Sequence, residues 1–78
     1  MSVLVISQYI DARGVETPGP TARAAQALLW LHSGELVEVL ATDPRSTFEF
    51  SRWAEATGNE LVDASVNDRV YRFVVRRR

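Results

Sequence analysis

Two short proline-bearing segments, Thr17-Pro18-Gly19-Pro20 and Asp43-Pro44, divide the chain into apolar runs that alternate between strand and helical period. In each, a residue with a capping side chain precedes proline, which lacks an N–H and fits the first helical positions. The spacing predicts Thr17 as the N-cap and Pro18 as the first residue of a helix running to about His32, with Ala24, Ala25, Leu28, Leu29 and Leu31 on its apolar side and Gly34 in a left-handed turn beyond it. Asp43 is expected to cap a second helix that ends at Gly58-Asn59, with Phe50, Trp53, Ala54 and Thr57 facing inward. Ser46 to Glu49 offers an alternative capping box.

The remaining segments read as strands. Val3 to Ile10 runs into the turn Asp11-Ala12-Arg13-Gly14, and Glu35 to Ala41 forms a mostly buried strand with Val37, Val39 and Ala41 set against Leu36 and Leu40. Glu60 to Val66 and Val70 to Arg77 are joined at Asn67-Asp68, the second alternating Val70, Arg72 and Val74 against Tyr71, Phe73 and Val75. The order βαβαββ predicts a two-layer α/β sandwich of the α+β kind, two helices on one face of a four-stranded mixed sheet, with the helix mouths as the place for polar chemistry.

Seventy-eight residues suffice for one core, so residues 1–78 are expected to form one domain and a monomer. The chain has no cysteine and a single histidine, His32, which removes disulfides, thiolate metal sites and a histidine metal cluster; neither metal nor cofactor is expected. The start lacks the pattern of a signal peptide and no apolar run is long enough to span a bilayer, so a cytoplasmic protein without membrane contact is expected. The formal charge of −1 hides an asymmetry. Residues 1–68 carry ten acids against four arginines, a balance of −6, and the last ten carry five arginines and no acid, a balance of +5. Such a tail reads as a solubilising strand edge or, less simply, as a phosphate-binding surface.

The segment Asp11-Ala12-Arg13-Gly14-Val15-Glu16-Thr17-Pro18-Gly19-Pro20 resembles the Asp-x-Arg-Gly-Leu-x-Cys-Pro-x-Pro signature of the TusA/SirA-like sulfur-carrier family. The likeness continues through Gly34 to Val39, Thr42-Asp43-Pro44, Trp53 to Leu61 and Tyr71 to Arg76, in order and at the right spacing. It implies a βαβαββ sandwich whose members accept persulfide sulfur on the motif cysteine and pass it to partner proteins, for tRNA thiolation, molybdenum-cofactor assembly or sulfur oxidation. At that cysteine's position this chain has Thr17, whose hydroxyl stays protonated and forms no persulfide. Whether the threonine is natural or engineered is left open by the sequence, a natural cysteine-less paralogue being favoured. With no histidine or lysine near it in sequence, Thr17 is read as a helix cap rather than a nucleophile, and enzymatic activity is left undecided.

The resemblance implies a binding surface at the helix mouths, to which Asp11, Arg13, Thr17, Pro18, Gly19, Pro20, Asp43, Arg45 and Phe48 are assigned. In local terms Asp11 and Arg13 brace the first loop and Asp43 caps the second helix. Phe48 falls off the Phe50/Trp53 stripe and is expected at the surface, where a partner protein could dock, and Trp30 is expected to be partly exposed. His32 is expected in solvent, complementing the end of the first helix. The function so implied is a non-catalytic interaction or regulatory module in sulfur transfer, with a cysteine desulfurase, a rhodanese or a DsrE-like protein as candidate partner. The alternative is a small RNA- or anion-binding domain using the terminal arginines. Few aromatics lie near that strand and no RNA-binding motif is present, so nucleic acid is not the expected partner.

Overall fold

The computed structural model describes residues 3–78. Its elements are β1 (Ile6–Ala12), α1 (Gly19–Leu28), β2 (Leu36–Ala41), α2 (Ser46–Thr57), β3 (Glu60–Asn67) and β4 (Val70–Arg76), in the βαβαββ order read from the sequence. The sheet runs β1-β2-β4-β3, with β1 parallel to β2 and the other pairs antiparallel. One face gathers Ala12, Val37, Val39, Ala41, Phe73 and Val75, all fully buried, against Ala24 and Leu28 of α1 and Phe50 of α2. Register puts them there: Val39 lies opposite Ile10 on one side and Phe73 on the other, and Val37 opposite Val75. The Phe50 ring stacks on Phe73 at 4.2 Å between centroids and meets the Trp53 ring edge-on, which fixes α2 over β4.

The face away from the helices closes itself with charge. Glu38 and Asp63 both lie opposite Val74, and Arg72 binds both carboxylates, at 2.9 Å in the case of Asp63. Val74 is fully buried on this outer face, where the alternation of β4 alone would leave it wet.

The boundaries differ from the sequence reading in instructive ways. β1 begins later and runs through Asp11 and Ala12, because Asp11 and Ala12 continue the parallel ladder opposite Leu40 and Ala41. Val3, Leu4 and Val5 lie outside it, exposed. α1 stops at Leu28: Leu29, Trp30 and Leu31 donate to carbonyls three residues back, a tighter winding than the α-helix, so Leu31 is buried while Ala25 and Leu29 are exposed. Arg77, not His32, holds that helix end, its Nη1 donating to the carbonyl oxygens of Leu28 and Leu31. His32 lies beyond it, exposed, its backbone N–H donating to Glu35 Oε1 at 2.6 Å. α2 ends as expected at Gly58, whose φ of 76° lets its N–H reach Ala54 O. The β3–β4 turn is centred one residue later than expected, on Asp68 and Arg69. Their φ values of 50° and 65° match the two left-handed residues that a primed hairpin turn requires.

Candidate functional site

The carboxyl ends of the parallel strands β1 and β2 lead into the two loops that start the helices, and both loops use one device. In the first, Asp11 Oδ1 accepts from the Arg13 N–H at 3.1 Å and from Arg13 Nε at 2.8 Å, while Oδ2 accepts from Nη2 at 2.8 Å. In the second, Asp43 Oδ1 accepts from the Arg45 N–H at 2.9 Å and from Nε at 3.1 Å, with Oδ2 accepting from Nη2 at 2.8 Å. Each Asp-x-Arg triplet is thus a clasp in which the carboxylate binds both the backbone and the guanidinium two residues on.

The clasps differ in what else they touch. Asp43 Oδ2 also accepts the Thr17 N–H at 2.9 Å, so its carboxylate ties the second loop to the first, and only 7% of its side chain is exposed. Thr42 adds a second tie, its Oγ1 accepting the Gly14 N–H at 2.8 Å. The Arg45 guanidinium, then the Thr17 and Arg45 amides, hold the Asp43 carboxyl well below the usual carboxylate range. The Arg13 guanidinium, then its amide, lowers Asp11 to about 2.

These bonds overturn both capping assignments. The residue flanking α1 is Pro18, whose carbonyl accepts from the Ala22 N–H and the Thr21 hydroxyl. Gly19 and Pro20 are the first helical residues, and no side chain caps the helix. The Gly19 N–H donates to Glu16 O at 2.8 Å and not to the Thr17 hydroxyl. α2 likewise starts after Arg45 with no side-chain cap. Asp43 stands too early to cap it and spends its carboxylate across the loops, while Ser46, the start of the alternative capping box, is buried with its hydroxyl unpartnered.

Of the residues proposed from the sequence, Asp11, Arg13, Thr17, Asp43 and Arg45 come together at this mouth, with Pro18, Gly19 and Pro20 forming the helix start beside it. Phe48 is set apart on α2, 64% exposed, with the Arg52 guanidinium 5.6 Å from its ring centre. A shallow depression of about 480 Å³ lies between the loops, lined by Gly14, Val15, Glu16, Thr42, Asp43 and Arg45 among others; neither Thr17 nor Phe48 lines it. Thr42, Glu16 and Val15 were not singled out from the sequence. Val15 matters because a Cβ on Gly19 would lie 2.3 Å from its Cγ1, so the helix start closes on Val15 only with glycine there.

Asp43, whose carboxylate accepts the Thr17 N–H, has both oxygens committed to donors and an acidity that makes it a poor base for a hydroxyl. Three of the basic tail's five arginines are engaged within the fold. Arg72 is held by Glu38 and Asp63, Arg77 by helix carbonyls, and Arg76 Nε lies 3.3 Å from Glu60 Oε1, within ion-pair distance though not aligned as a hydrogen bond.

The model of the sulfurtransferase TusA family matches residues 8–77, a span that takes in both clasps, most of β1 and all the later elements. The chain belongs to the TusA family. The sulfur carrier protein TusA of Allochromatium vinosum is 36% identical over 70 residues, covering 90% of this chain and 92% of that protein. The crystal structure of a SirA-like protein from Desulfitobacterium hafniense superposes with a TM-score of 0.78 at 28% identity, covering 88% of this chain and 95% of that one. The sandwich is therefore that of the SirA-like protein, and among the described residues no helix is long and apolar enough to cross a membrane.

Proposed function

We propose that this TusA-family domain is a non-catalytic protein-interaction module of sulfur transfer, in which Thr17 takes the place of the sulfur-bearing cysteine. The observation that carries the reading is the chemistry of the mouth. The chain has no cysteine, and Thr17, with its amide held by Asp43, offers a hydroxyl where persulfide chemistry needs a soft thiolate. The loops around it are nevertheless kept in order by two ionic clasps and the Gly14–Thr42 bond, an investment that suits recognition by another protein. A cysteine desulfurase, a rhodanese or a DsrE-like protein in the cytoplasm is the partner this reading expects, serving tRNA thiolation, molybdenum-cofactor assembly or sulfur metabolism. The pairing of Arg72, Arg76 and Arg77 within the fold supports this reading over RNA or other phosphate binding, since a paired arginine must give up its carboxylate or carbonyl partner to reach a phosphate.

The test is titration calorimetry of the purified chain against those three partner classes. Binding to at least one is expected, with Phe48→Ala weakening it at least tenfold, because an exposed aromatic anchor outweighs rim charges. No binding to any of the three, together with RNA affinity that falls steeply with salt, would replace the proposal with the anion-binding alternative.

A further inference from the structure

We infer that the free edge of β1 is a self-association surface, through which two copies of this chain form a symmetric dimer. β1 has a strand neighbour on one side only, and the surface around its open edge is apolar. Tyr9, Leu29 and Trp30, which are 69%, 75% and 82% exposed, line one depression beside it. Val3, Leu4 and Val5, just before the strand, are exposed too. They lie at the same end of β1 as Trp30: Ser7 Oγ donates to Glu35, and Glu35 accepts the backbone N–H of His32, two residues past Trp30. Among the described residues, six of the eight large apolar side chains that are exposed are therefore gathered on this flank.

Charge singles out a second copy as the occupant. Sheet edges are ordinarily guarded by charged side chains. The opposite edge, β3, carries Glu60 and Asp63, whereas residues 3–10 carry no charge at all, and Asp11 at the end of β1 is neutralised by its clasp with Arg13. Across a two-fold axis each residue near the axis meets its own kind, so a charge there would repel itself; the Gln8–Ile10 stretch of the strand has none, and Arg23 is the one charged residue lining the depression. A charged partner would find only Arg23 on the rim of the depression, and its Nη1 already donates to Asp11 O. The exposed parts of the six side chains, at roughly 100–200 Å² for each large apolar group, come to about 600 Å² per copy or more, hence about 1,200 Å² in all, the lower end of specific interfaces.

The register shift between Ile6 and Gln8 limits straight strand pairing to the Gln8–Asp11 stretch, so apolar contacts rather than a long backbone seam hold the dimer. Antiparallel pairing there points the two loop mouths in opposite directions and leaves both open. This departs from the monomer expected from the sequence, and it stands independently of the sulfur-transfer reading.

Sedimentation equilibrium of the full chain between about 1 and 300 µM, a range spanning the affinity expected of so small an interface, tests it. A monomer–dimer equilibrium is expected, with Trp30→Ala and Val5→Lys each raising the dissociation constant at least tenfold. Both side chains are exposed in the monomer, so unchanged far-ultraviolet circular dichroism shows that each variant keeps its fold. A chain that stays monomeric throughout, or a dimer that neither substitution weakens, overturns the inference.

Discussion

Replacing Arg77 with methionine keeps the aliphatic stem and removes one guanidinium. In the structure Nη1 donates to Leu31 O at 2.5 Å and to Leu28 O, which also accepts the Leu31 N–H, and so binds two carbonyls where α1 unwinds, at the negative end of its dipole. The rest of the residue is pinned independently, since its N–H donates to Glu35 O and its carbonyl accepts from the Gly34 N–H, so the backbone should stay in place. A hydrogen bond from a charged donor contributes about 1.5–3 kcal/mol net. One nitrogen shared between two acceptors counts as little more than one such bond, and a half-exposed helix end lowers the figure, which gives about 1.5–2 kcal/mol. For a domain of this size each kcal/mol moves the melting midpoint by roughly 4–8 °C, so Arg77→Met should melt about 6–16 °C lower by circular dichroism. Arg77→Lys should recover part of the loss. A shift of under about 2 °C for Arg77→Met would refute the assignment of Arg77 as the clamp on α1.

Gly19→Ala should destabilise by about 1–3 kcal/mol although alanine favours helix, because the new Cβ meets Val15 Cγ1; in a Val15→Ala background the same change should cost less than about 0.5 kcal/mol. Equal costs in the two backgrounds, from urea titrations, would remove the clash as the cause. Asp43 and Asp11 ionise in the fold below the unfolded value of about 3.9, so their clasps contribute stability above that pH and lose it as pH falls toward 2. Asp43→Asn should therefore flatten the fall in urea midpoint between about pH 4 and pH 2; an unchanged slope would show that the carboxylate is not held as described.

The layers of this fold were legible because they follow from local periodicity. Val37, Val39 and Ala41 on one side of β2, Phe50 and Ala54 on α2, and Tyr71, Phe73 and Val75 on β4 need only alternation or a 3.6-residue repeat to be placed. The departures come from bonds between residues distant in sequence. Thr17 and Asp43 each suit an N-cap by residue type, but Asp43 lies 26 residues from the amide it binds, and that bond together with Glu16 O moves both helix starts one or two residues later. The early end of α1 depends on Arg77, 49 residues beyond Leu28. The Asp11–Arg13 pair was readable because both partners sit within three residues. The surface aromatics Phe48 and Trp30 were readable because neither falls among the apolar positions assigned to its helix. The apolar flank of β1 was not, since only the strand order shows which strand is left at an edge.

The most direct test of the claim that Thr17 stands at a carrier position without a carrier's thiol is intact-mass analysis after incubation with a cysteine desulfurase and cysteine. The wild-type chain, which has no cysteine, should gain no sulfur, and Thr17→Cys, with its thiol at the start of α1, should gain persulfide sulfur on that residue. Sulfur on the wild-type chain, or a Thr17→Cys variant that folds normally and remains unloaded, would contradict it.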